Sequence, residues 1–401
     1  MIRKSPFMKN SYFYYKIYIV FLLVFFWRTI VFWFGGGENG DVLLYATLAG
    51  VELMSLNLIL TSPKYRYQKS RIPILCLLWE LTMLIVLVFN QAPLSHYFKC
   101  FAWPLFFESS YLFIRWNYHL LNRFRRVFYI LTLLGGIYFV FALQLKDFES
   151  QTNMVYFAML TVPYLLLTQN TKWRYYILIF ATFAAFISMK RSMMLAIVLF
   201  WGIFAVKSLL SKGKKTLAFF VVILMLVALY GSYKVVDRLT EGHLSARTID
   251  YEKDDISNGR EAIYMVTIEM IKSTSPIHLL LGNGHNAVRR DSILDISAHN
   301  EILEIIYDYG LIMLLIYVFF WIYIVRQWLY HSRNHTIYFV PYTFSVCVFA
   351  VMAMVSQLVL YVSYFLYLVM FWGMVGAARD IQENVRKNSY KIKTSTKRKR
   401  I

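Results

Sequence analysis

The segment 310–328, GLIMLLIYVFFWIYIVRQW, is apolar on all faces until Arg326. A helix needs about 20 such residues to cross the hydrocarbon core of a bilayer. The segment before it, 282–310, reads GNGHNAVRRDSILDISAHNEILEIIYDYG. It holds a glycine turn and a His-Asn pair, and it closes a long polar stretch. Working outward, comparable apolar runs fall near 17–34, 42–61, 72–90, 98–114, 127–145, 154–168, 175–189, 193–210, 216–235, 337–355 and 358–378. Together they predict an all-α, polytopic helical membrane protein of about twelve transmembrane helices, with one long extracytoplasmic loop containing short helices. Composition agrees: 59% of the 401 residues are hydrophobic and 16% are charged, against about 45–50% and about 25% in soluble domains. A transmembrane barrel is excluded because barrel strands alternate apolar and polar residues.

Charge placement orients the spans. With a cytoplasmic N-terminus, the inner segments are SPKYRYQKSR (62–71), RWNYHLLNRFRR (115–126), QNTKWR (169–174), SKGKK (211–215), RQWLYHSRNH (326–335) and the tail, and all are basic. The short outer segments GGGENGD (35–41), QAPLSHY (91–97) and LKDFESQT (145–152) are neutral or acidic. Cytoplasmic loops carry the Lys and Arg excess, so both termini are expected inside. The first run, 17–34, has basic residues before it and no small-x-small site after it, which reads as an uncleaved span. Four regions follow: 1–235, an N-terminal bundle of about nine spans; 236–300, the extracytoplasmic loop; 301–378, C-terminal spans; and 379–401, a basic cytoplasmic tail.

The net charge of +20 is concentrated between spans and in the tail KTSTKRKR. This serves topology and contact with anionic lipid headgroups, and argues against a nucleic-acid partner. Cys76, Cys100 and Cys347 lie in apolar runs without paired spacing and read as small core hydrophobes. His243, His278 and His285 form no metal-ligand spacing with His299, so no metal is expected. No phosphate-binding G-x-x-x-x-G-K-[ST] loop exists. Arg28, Glu52, Glu80 and Glu108 fall within spans, where charges usually pair inside the bundle; a transporter would use them along its path.

Within the loop, GREAIYMVTIEMIKSTS predicts a helix opening near Asn258-Gly259, capped by Ser257 or Asn258. Its Ile263, Val266, Met270 and Ile271 share one face and suit a membrane surface. SPIHLLLGNGHN reads as a short apolar stretch and a turn, with Gly282 and Gly284 supplying the turn. Residues 298–309 read as a helix leading into the next span. His299-Asn300 at its start is either a polar cap or a base for a sugar hydroxyl. Arg260 is either a solvated surface cation or a bidentate phosphate ligand. Lys190-Arg191 sits on the side expected to be poor in positive charge, where it either snorkels or meets an anion.

The ordered set S-M-K-R-S (188–192), G-R (259–260), apolar-G-x-G (281–284), H-N-E-I-L-E (299–304) and D-Y-G-L (308–311) resembles the bacterial O-antigen ligase and polysaccharide polymerase superfamily of integral membrane proteins. The likeness covers about 175 to 325; the first half matches only as hydrophobic spans. The resemblance implies metal-independent, cofactor-free glycosyl transfer at the outer face of the cytoplasmic membrane, with a polyprenyl-diphosphate-linked glycan as donor. Carried over, Arg191 and Arg260 hold the donor diphosphate and His299 orients or deprotonates the acceptor hydroxyl. Lys190, Gly282, Gly284 and Asn300 are substrate-binding candidates; Lys190 stands where that family has a small or polar residue. The leading expectation is a polymerase of lipid-linked repeat units for a capsule, exopolysaccharide or O-antigen. A ligase to a terminal acceptor is the nearest alternative and a lipid-linked oligosaccharide flippase the next. A flippase and a chain-length regulator are the implied partners.

Overall fold

A computed structural model describes residues 6–33, 41–61, 72–145, 154–188, 190–211, 260–356 and 362–398, with isolated positions between 213 and 231 and Val359, and some helix ends as backbone alone. The described residues are helical with short connections. The helices are α1 Pro6–Trp33, α2 Asp41–Leu60, α3 Ile72–Phe89, α4 Leu94–Trp116, α5 Leu120–Leu145, α6 Met154–Leu165, α7 Thr171–Ile187, α8 Arg191–Ser211, α9 Arg260–Ser273, α10 Pro276–Leu281, α11 Ala287–Asp291, α12 Glu301–Arg333, α13 Phe339–Val355 and α14 Val362–Arg398. Eleven of the expected apolar runs lie on helices of this set; 216–235 is described only at scattered helical positions. Two described helices, Arg191–Ser211 and Glu301–Arg333, are long and apolar enough to cross a membrane by length and composition. The expected cap at Ser257 or Asn258 lies outside the described residues, as does His243.

The core is α4 packed along α14, with α2 and α3 against α4, α13 against α8, and α12 against α3 and α13. Close approach of α4 and α14 depends on Gly373, where a Cβ would meet the Phe107 carbonyl at 2.5 Å. Small residues at such crossings let apolar helices approach where lipid tails supply no hydrophobic drive. Aromatic rings fill the interior. Trp103, Phe320, Phe349, Phe365 and Trp372 form one aromatic cluster, with Trp103–Phe320 centroids at 5.1 Å and Phe349–Trp372 at 5.1 Å, distances at which ring quadrupoles attract. Two buried ring polar groups bond within the bundle: the Trp372 indole donates to Ser345 Oγ at 2.9 Å and the Tyr164 hydroxyl donates to the Tyr367 carbonyl at 2.6 Å.

α12 is two helices in one. Gly310 breaks it with φ 80 and ψ 176, leaving 301–309 as a separate first piece before the apolar span. Leu280 and Gly282 press against this kink; a Cβ on Gly310 would land on the Leu280 carbonyl. Glycine alone combines the left-handed φ with that approach.

Candidate functional site

His299 lies just ahead of Asn300, the residue that caps the first piece of α12, with φ 52. A left-handed conformation at a non-glycine residue costs about 1–3 kcal/mol and persists where its surroundings impose it. Here polar neighbours in the HNEILE motif supply the constraint. Asn300 caps α12, its Oδ1 accepting from Ile302 N at 3.0 Å and Leu303 N at 3.3 Å. Glu304 accepts from Ala298 N at 2.6 Å and also from the His299 backbone. Glu301 accepts from the Tyr317 hydroxyl at 2.7 Å and from Val359 N. Tyr264, one turn into α9, donates to the His299 carbonyl at 3.4 Å and the Met354 carbonyl at 3.2 Å. The imidazole is half-buried at the end of this scaffold.

Two cations act on that imidazole. Burial first, then the charges of Arg260 and Lys190, lower the His299 pKa below its ordinary value. The ring is therefore neutral at neutral pH and able to accept a proton. Arg260 is the first residue of α9. Lys190 is the residue before α8: its N–H donates to Ser188 Oγ at 3.3 Å, and its carbonyl accepts from Met193 N and Met194 N at 3.0 Å. Its ammonium lies 5.6 Å from the centre of the Tyr156 ring, within cation–π range. The Tyr156 hydroxyl bonds Ser192 Oγ at 2.8 Å, and the charge of Arg260 reaches it. Arg191 stands exposed at the first position of α8. Lys190 thus packs on Tyr156, and the charges of Arg260 and Lys190 both act on His299. Tyr156 escaped the sequence reading because an aromatic at a span boundary is ordinary in membrane proteins. Ser192 was visible only as part of the SMKRS string.

Gly282 and Gly284 have φ 79 and 101. Their N–H groups are already engaged: Gly282 donates to the His278 carbonyl at 2.6 Å, and Gly284 to the Asp308 carbonyl at 2.8 Å. Asn283 N between them donates to the Tyr307 carbonyl at 2.9 Å. The Asp308 carboxylate accepts from Asn286 N at 2.8 Å and Val288 N at 2.9 Å. The GNG turn is therefore a backbone joint on α12 and leaves no row of amides for a phosphate. Asn300 likewise commits its oxygen to capping. Gly282 and Gly284 thus build the joint, and Asn300 the cap.

His285 and His278 have partners of their own. His285 Nδ1 meets the Tyr309 hydroxyl at 2.5 Å and its ring packs on His96 at 4.6 Å; burial pushes its pKa down to about 3. His278 Nδ1 bonds Ser275 Oγ at 2.8 Å. Among the described residues, no three His, Cys, Asp or Glu are grouped to hold a metal ion. Glu52 and Glu108 are buried in α2 and α4, and Oε1 of Glu52 and of Glu80 meets no partner among the described residues. The Arg28 side chain, their expected partner, lies outside the description.

Residues 176–318 match the family described as O-Antigen ligase. This region belongs to that family. The matched O-antigen ligase domain includes Lys190, Arg191, Arg260, the GNG turn, His299 and the α12 kink, and ends within the span after Gly310. A search of curated proteins returns no significant match.

Proposed function

We propose that this membrane protein polymerises polyprenyl-diphosphate-linked oligosaccharide units into a surface polysaccharide at the outer face of the bacterial cytoplasmic membrane. The observation that supports this most is a neutral imidazole beside two cations, all three within the O-antigen ligase domain. Arg260 and Lys190 bind the donor diphosphate and stabilise the charge it gains on leaving. Arg191 lies on the same turn and meets the phosphates from its rim. His299 takes the proton of the acceptor hydroxyl. The oxygen attacks the anomeric carbon as the bond to phosphate breaks, and the polyprenyl diphosphate departs with that electron pair. Attack from the opposite face inverts the anomeric configuration.

The arrangement also carries a timing property. Burial and the two cations keep His299 neutral, and the cations weaken it as a base. A bound diphosphate offsets their charge and raises the imidazole's proton affinity, so the base strengthens when the donor is in place. In this reading 236–300 is the catalytic loop, the twelve spans hold it at the outer face and both termini are cytoplasmic. A ligase that moves the finished glycan to a terminal acceptor uses the same donor chemistry, and the family description favours it.

The deciding experiment is the glycan profile of cells lacking the gene, complemented with wild type or His299→Ala. Single repeat units without long polymer in both the deletion and the variant support the polymerase. Long lipid-linked polymer that never reaches its acceptor supports the ligase. Repeat units retained on the inner leaflet overturn both.

A further inference from the structure

We propose that Glu304 is a positioning residue for His299, acting through the reach of its carboxylate to the backbone and not through its charge. This rests on the assignment of His299 as the acceptor base. Glu304 is 0% exposed, so it cannot itself touch a glycan. Its oxygens face the chain immediately before the helix, accepting from Ala298 N at 2.6 Å and from the His299 backbone. These N–H groups belong to the residues that must turn for His299 to adopt φ 52. Arg260 and Lys190 are the cations that lower the His299 pKa. A fully buried carboxylate is costly to keep, and an apolar residue here would leave the buried Ala298 N–H without its acceptor. One turn earlier, Glu301 ties the same helix start to Tyr317 and Val359. The helix end is therefore held on one side by Glu301, while Glu304 sets the direction in which the chain enters it.

Two substitutions separate reach from charge. Glu304→Gln keeps an acceptor oxygen at the same distance and removes the charge. Glu304→Asp keeps the charge and withdraws the oxygen by one methylene. Full-length protein in membranes is assayed with lipid-linked oligosaccharide extracted from a host strain deleted for the gene, with rates expressed per folded protein. Glu304→Gln is expected to turn over within about threefold of wild type with an unchanged pH profile. Glu304→Asp is expected to lose about 100-fold in kcat with KM within about threefold, the cost of misplacing a reacting group by about 1 Å. Full activity in Glu304→Asp overturns the proposal, as does a Glu304→Gln enzyme as impaired as Glu304→Asp. His299→Ala separates the two levels. If it keeps wild-type activity, the base assignment itself falls and the positioning role with it. If it is inactive while Glu304→Asp is active, the positioning role alone falls.

Discussion

The loop before α12 carries two short polar motifs that look alike on paper, GNG at 282–284 and HNE at 299–301, and the fold uses them in opposite ways. At GNG the backbone is consumed: all three N–H groups donate to carbonyls, and the glycines allow the chain to lie on the kink at Gly310. At HNE side chains are consumed: Asn300 and Glu301, together with Glu304 further along, hold the chain so that one ring is left facing two cations. The first motif is a joint, and the second is the site proposed above. A motif's chemistry follows from which of its groups remain uncommitted after folding.

The comparison breaks most sharply at the joint. Gly282→Ala puts a methyl on the Asp308 carbonyl at a left-handed φ, and is expected to cost on the order of 3–5 kcal/mol. The thermal midpoint and the amount of monodisperse protein from membranes check this. A stable Gly282→Ala protein would show that the joint has slack. His299→Ala should instead leave the fold intact and lower kcat by about 10²–10⁴-fold, measured as turnover per folded protein; loss of the fold would erase the distinction between joint and site.

Next in size, Lys190→Ala and Arg260→Ala should each cost about 10²–10³-fold in turnover, while Arg191→Ala costs less than about tenfold. Equal losses at 190 and 191 would return Arg191 to the centre of the site. The smallest effect is on pH dependence. With its pKa lowered, His299 stays neutral as pH falls through the ordinary imidazole value of about 6.5, and activity fails only below that. Lys190→Ala removes one of the lowering charges, so the acid limb of the kcat/KM profile should move upward toward the ordinary value. A limb that stays or moves down would detach Lys190 from His299.

Much of this molecule was legible in its residues. The apolar runs around 310–328 and elsewhere predicted helices because backbone polar groups in lipid must be satisfied within the segment. The helix after His299 and the Asn300 cap followed from short-range rules of helix ends. The packing of Lys190 on Tyr156 did not, because the two residues come from α6 and from the turn before α8. Tyr156 is separated from Arg260 by more than a hundred residues of sequence, and nothing local marks it. Glu301 and Glu304 read as ordinary acidic residues in a first helical turn, where the helix dipole favours them; only their burial shows that they grip backbone and ring partners. The sequence by itself determined the helices, because periodicity, caps and apolar length are local properties. The tertiary structure alone decided which polar groups were spent on holding the chain and which were left for chemistry, because that depends on partners brought together from α6, α8, α9 and α12.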